Sequence, residues 1–169
     1  MTQSPVDFEM SQRFEPPCNT QFNVFLDNRV GRLLHLLEVF ENQALTLAGF
    51  SILEATGHAV VRVLTSRADL ARRLLSRFEY PFSEQSVLCV ELDAEHHLSQ
   101  VFEYLMSAEL SISYAYPLLV RPRERAVVAV HCEDITMAGQ ILRRRLFWLH
   151  QPIRKTAHWR VPRGCSPQA

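Results

Sequence analysis

Apolar and polar residues alternate over residues 21–26 (QFNVFL). The period then lengthens, and Leu33, Leu34, Leu36, Leu37 and Phe40 recur at helical spacing. The pattern predicts a strand, a polar turn and an amphipathic helix over 31–41. Two apolar runs follow, 45–54 and 59–65, separated by ATGH, whose Gly57 suits a hairpin turn. The next segment, SRADLARRLLSRF, opens on Ser66 as a candidate cap and places Leu70, Leu74 and Phe78 on one helical face. Residues 80–83 supply a short closing strand. The order strand, helix, strand, strand, helix, strand is the split-βαβ or ferredoxin-like order.

From Ser86 the pattern begins again. SVLCVEL reads as a strand and residues 97–106 as a helix with Leu98, Val101, Phe102 and Leu105 inward. LSISYAYPLLV and RAVVAVHC are two more strands, and ITMAGQILRRRL is a helix. A shift of 65 residues puts Leu33 on Leu98, Leu36 on Val101, Phe40 on Leu105, Leu45 on Leu110, Leu47 on Ile112 and Val63 on Val128, an internal duplication. The chain therefore divides into a loose segment 1–20, one unit at 21–85, a second at 86–150, and an extension at 151–169. Each unit is near the lower size limit for an independent core, so the two are expected to share an interface or pair their sheets. The stretch FWLHQPIRKTAHW is expected to add an edge strand or to pack across that junction.

Composition narrows the function classes. With 169 residues and 47% hydrophobic content the chain can bury a core, and 18 basic residues against 18 acidic ones leave no net field toward nucleic acid or an anionic membrane. Lys155 is the single lysine beside 17 arginines, a bias we ascribe to codon usage. Cys18, Cys89, Cys132 and Cys165 form no C-x-x-C pair and have no histidine at ligand spacing, so neither a metal nor another cofactor is expected. Free thiols fit a reducing, cytoplasmic location. The start MTQSPVDFEM lacks a signal-peptide pattern, and no apolar run approaches membrane-spanning length.

No nucleophile–base pair, G-x-S-x-G or phosphate-cradling glycine loop is visible, so catalysis is not expected. The RNA-recognition motif shares the element order, but its base-stacking aromatics are missing from HAVVRVL and RAVVAVHC.

The turn DNRVG either shapes and caps the following helix or leaves backbone N–H groups free for an anion. In its setting, LDNRVGRL matches the L-x-N-x-x-G-x-L pattern that opens ACT domains in the small regulatory subunits of acetolactate synthase. The chain from Gln21 to Leu146 resembles a tandem ACT protein. The resemblance includes LTLAGFSILEATGHAVVRVLTSRADLARRLL in the first copy and the Tyr-x-Tyr strand LSISYAYPLLV in the second. It implies an α+β fold of two tandem ferredoxin-like βαββαβ (ACT) units with antiparallel sheets. It also implies a non-catalytic regulatory module that binds a small ligand, an amino acid above all, at a domain interface. Such a module would act as a sensor or as the regulatory subunit of an enzyme partner, as a homodimer.

On this reading Gly31 admits close approach, and N–H groups around Val30 and Arg32 hold a carboxylate at the positive end of the helix. Asn28 orients the ligand's polar groups and Asp27 accepts from an α-ammonium, with Arg29 and Leu33 completing the stretch. The second copy has Asp93 in place of Asn28 and His96 in place of Gly31, so no anion site is expected there. Tyr114 and Tyr116, two apart on a strand, share a face and either line a cleft at the domain interface or pack beneath the helices. His96, His97, His131 and Cys132 are assigned no metal, and Arg143, Arg144 and Arg145 mark a solvated face or an interface rim. The competing function is a ligand-free scaffold acting by sheet pairing with an enzyme.

Overall fold

The structure is a computed structural model that describes residues 15–27, 29–55 and 57–150. The elements in chain order are β1 (Asn19–Asp27), α1 (Arg32–Glu41), β2 (Leu47–Ala55), β3 (His58–Thr65), α2 (Ala68–Arg77), β4 (Phe82–Leu92), α3 (Leu98–Ser107), β5 (Ile112–Pro117), a 3-10 turn (Pro122–Glu124), β6 (Ala126–Cys132) and α4 (Ile135–Arg144). All six strands form one antiparallel sheet in the order β2-β3-β1-β4-β6-β5.

The two expected units are both present, but they are joined through a strand rather than a linker. The closing strand of unit one and the opening strand of unit two are the single strand β4. Its first half pairs with β1 (Asn19 opposite Val87) and its second half with β6 (Leu88 opposite Val130). Gln85 and Ser86 thus lie inside a strand. Where β1 begins, residues near the end of α4 take over the same side of β4. Leu149 bridges Val90, Glu91 donates its N–H to Trp148 O (3.0 Å), and His150 donates its N–H to Cys89 O (2.9 Å). This short return is the last strand position of unit two. The segment 151–169 lies outside the described residues.

Strand alternation assigns the two faces of the sheet. On the convex face, Phe22, Val24, Leu26, Val61 and Val63 pack against Leu36, Val39 and Phe40 of α1 and Ala71, Leu74 and Leu75 of α2. Leu88, Val90, Val128 and Val130 likewise pack against Val101 and Leu105 of α3 and Ala138 and Leu142 of α4. Ahead of β1, buried Pro16 sits where a Cβ on Gly139 of α4 would fall, so the approach to the sheet is anchored on the second unit. Ser66 does not cap α2. Its hydroxyl accepts the Thr46 N–H (2.9 Å), Arg67 occupies the N-cap position, and no side chain caps that helix.

The sheet curls until its two edges touch. Leu119 donates its N–H to Ala48 O (2.8 Å), and Gly49 bridges Leu118. The concave face so enclosed has its own core of Ala48, Leu64, Val87, Cys89, Tyr116, Leu118, Val127 and Ala129. At one end of β4 the buried Glu91 carboxylate accepts from Arg123 (2.7 Å), Arg125 (3.0 Å) and His150 Nε2 (2.7 Å). Burial pushes the Glu91 carboxyl upward, but the three charged hydrogen bonds outweigh that and hold it below the usual carboxylate range. Burial pushes the His150 imidazole down, against the opposing pull of Glu91. Among the described residues no helix is long and apolar enough to cross a membrane.

Candidate functional site

The turn after β1 leads into α1 through Gly31, whose φ of 85° lies in the left-handed region that only glycine adopts without strain. Gly31 is the N-cap of α1. Among the described residues no side chain caps the helix, and its first turn holds no acidic residue. The local backbone bonds are Arg29 N–H to Asp27 O (2.7 Å), Arg32 N–H to Arg29 O (3.2 Å) and His35 N–H to Gly31 O (2.9 Å). Asp27, Arg29, Val30 and Gly31 are exposed, and among the described residues nothing beyond its chain neighbours lies within 4 Å of the position a Gly31 Cβ would take. Arg32 stacks over the Tyr80 ring (5.1 Å), whose hydroxyl meets His35 Nδ1, and Leu33 packs on the convex core. Asn28 lies outside the described residues.

The corresponding turn of unit two is closed on itself. Asp93 Oδ1 accepts the N–H groups of Glu95 (2.9 Å) and His96 (2.8 Å) and contacts His96 Nδ1 (2.9 Å), and the Gln100 side chain accepts the His97 N–H (2.8 Å). Those donors already have carboxylate and amide partners supplied by the chain. Among the described residues, no side chain caps their counterparts before α1.

Tyr114 and Tyr116 lie elsewhere, on the concave side of the sheet, and no contact joins them to the turn among the described residues. They do stand between the two units. Tyr116, buried, donates its hydroxyl to Gln21 Oε1 (2.8 Å). Gln21 Nε2 donates to Tyr114 Oη (2.7 Å) and Asn23 Oδ1 (2.7 Å), and Tyr114 donates to Gln85 Oε1 (2.7 Å). Asn23 Nδ2 completes the chain toward Gln85 (2.9 Å) and Ser83 (3.3 Å). Burial raises both phenols. The Tyr114 ring stacks on His131 (5.0 Å) and carries the Arg62 guanidinium 3.9 Å from its centroid.

Gln21, Asn23, Arg62 and Gln85 escaped the sequence reading. Their signal was present in strict alternation with Phe22, Val24, Val61 and Val63, but it reads as a solvated sheet face until the curl encloses that face. Among the described residues no group of three or more His, Cys, Asp or Glu side chains is placed to hold a metal.

Element order, strand register and tandem repetition define a double ACT-type, ferredoxin-like fold. No known family profile matches the chain, and no curated protein matches it. Among solved structures, the chain is similar to protein BT0572 from Bacteroides thetaiotaomicron, with a TM-score of 0.73 and 19% identity over 83% of this chain and 99% of that one. It is also similar to the regulatory subunit of aspartate kinase from Thermus thermophilus in its ligand-free form (TM-score 0.51, 8% identity, 77% and 93% covered). A third likeness is to aspartokinase alpha and beta subunits (TM-score 0.51, 14% identity, 76% and 92% covered). At these identities what is shared is the fold.

Proposed function

We propose that the chain is a non-catalytic regulatory module that binds a small ligand, an amino acid first of all, at the turn of residues 27–33, and acts as a sensor or as the regulatory subunit of an enzyme. The observation that carries this reading is the start of α1. Gly31 holds a left-handed backbone at the positive end of a helix that no side chain among the described residues caps. The self-capped Asp93 turn supports binding at the first copy only. The likeness to the regulatory subunit of aspartate kinase agrees with such a role. A second copy of the chain is the expected partner through sheet edges or helices, giving a homodimer, with an enzyme as the other.

Calorimetry with the common amino acids tests the reading. Binding should be lost in Gly31→Val, where a β-branched residue meets a positive φ, and should weaken by about 1–3 kcal/mol in Asn28→Ala. It should persist in His96→Gly. Unchanged binding in the first two variants would make the turn a structural cap. The ligand-free scaffold reading draws on one observation, the half-exposed Ile52 and Leu53 on edge strand β2, which offer a surface for pairing. It predicts a stable complex with an enzyme and no response to any amino acid.

A further inference from the structure

We propose a second ligand site on the concave face, in which Arg62 receives the carboxylate of a small apolar monocarboxylic acid. Arg62 lies on β3 opposite Asn23 of β1 and Ser51 of β2. Its Nε is buried and has no hydrogen-bond partner, and among the described residues its guanidinium forms no ion pair. The groups around it are neutral. They are the Tyr114 ring beneath it and the Gln21, Asn23 and Gln85 amides, which are engaged with one another and with the two tyrosines. A half-buried cation with no counter-ion is costly, and an anion reaching the guanidinium supplies the missing counter-charge. The amide and tyrosine network holds the Tyr114 ring in place under the guanidinium, so the fork is oriented before a ligand arrives.

Charge and neighbours select the class of acid. One cation matches one negative charge, which favours a carboxylate over a phosphate dianion. The next positions on the same face, toward the open end, are Phe25, Val60 and Leu53, paired with each other across β1, β3 and β2. Phe25 is 42% exposed and Leu53 is 49% exposed. A carboxylate on Arg62 therefore places its organic tail on an apolar shelf that is otherwise open to water. Helix α1 packs on the opposite face of the sheet, and no residue used here belongs to the stretch 27–33, so this site is tested separately from the proposed amino-acid site.

The test is titration of the full chain with phenylacetate, isovalerate, acetate and inorganic phosphate, read by the Arg62 Nε–H resonance and by the melting temperature. Phenylacetate and isovalerate should shift that resonance and raise the melting temperature at concentrations where acetate and phosphate do little. Arg62→Gln should weaken phenylacetate by about tenfold or more, and Gly31→Val should leave it unchanged. Leu53→Glu, at a half-exposed position that tolerates charge, should supply the missing carboxylate from the chain, raising the melting temperature and abolishing binding of added acid. The proposal fails if no acid perturbs Arg62, if phosphate or acetate binds as well as phenylacetate, or if Arg62→Gln or a folded Leu53→Glu binds phenylacetate like the parent.

Discussion

Replacing Gly49 with Ala probes the seam that closes the sheet. The backbone at Gly49 is outside the positive-φ region, so alanine is locally favoured there by about 0.5–1 kcal/mol. The space is not available, however. A Cβ would fall 2.7 Å from Leu118 Cδ2, 3.1 Å from Tyr116 Cε2 and 3.2 Å from Leu64 Cβ, all residues of the concave core. Overpacking of this kind costs about 1–3 kcal/mol, so a net destabilisation of about 1–2 kcal/mol is expected, visible as a lower urea midpoint at unchanged m-value. The nearest atom belongs to Leu118, so the cost should depend on that side chain. Leu118→Ala alone should cost about 2–5 kcal/mol. In the Leu118→Ala background, Gly49→Ala should cost almost nothing, a coupling of about 1 kcal/mol or more. If the two changes add to within about 0.5 kcal/mol, β2 and β5 do not meet at this seam and the closure described above is wrong.

Acid should weaken the fold in two windows. His150 is held neutral below its ordinary value, so stability falls as pH drops from the usual histidine pKa of about 6.5. Glu91 and Glu84, the latter accepting two hydrogen bonds from Arg72 (2.6 and 2.7 Å), are held ionised below theirs, so their contribution is complete above the usual glutamate pKa of about 4.3 and is lost as pH falls through the depressed folded values. Glu91→Gln should cost about 1–3 kcal/mol near neutrality, flatten the lower window and deepen the upper one, because Glu91 no longer pulls the His150 imidazole up, as followed by denaturant midpoints across pH. A pH profile identical to the parent's would remove Glu91 from the account. Burial pushes the Cys89 thiol up to about 12 and the Cys132 thiol up to about 11, so both should resist maleimide in the folded chain and react at the rate of unfolding. Labelling within the mixing time would contradict their burial.

The elements with an uninterrupted period were legible in sequence: the alternation of β1, the helical spacing of α1, and the repeat that carries both into the second half. Gly31 was legible too, since a glycine between a strand and a helix points to a left-handed turn. The merger at β4 was not, because SEQS is polar throughout, with neither an apolar alternation to mark a strand nor a glycine or proline to mark a break. Ser66 had the chemistry of a cap but stands opposite the Thr46 N–H, a tertiary partner invisible to local reading. Tyr114 and Tyr116 were recognised as sharing a face. That this face turns inward, and that Gln21 from ninety-three positions earlier would meet Tyr114 there, depended on the long-range curl of the sheet.

Shared ownership of β4 also bears on how faithfully the chain finds its register. A one-residue slip would exchange the two rows Leu88, Val90 and Val87, Cys89, turning the residues beneath α3 and α4 toward the concave face and the others outward. In an ordinary pair of domains such an error would be confined to one of them. Here the same slip also displaces the pairing of Phe82–Val87 with β1, so both halves object to it at once. A strand proofread from both ends leaves misregistered intermediates little to gain. The chain is therefore expected to unfold as one cooperative unit, with amide exchange across β4 slow along its whole length.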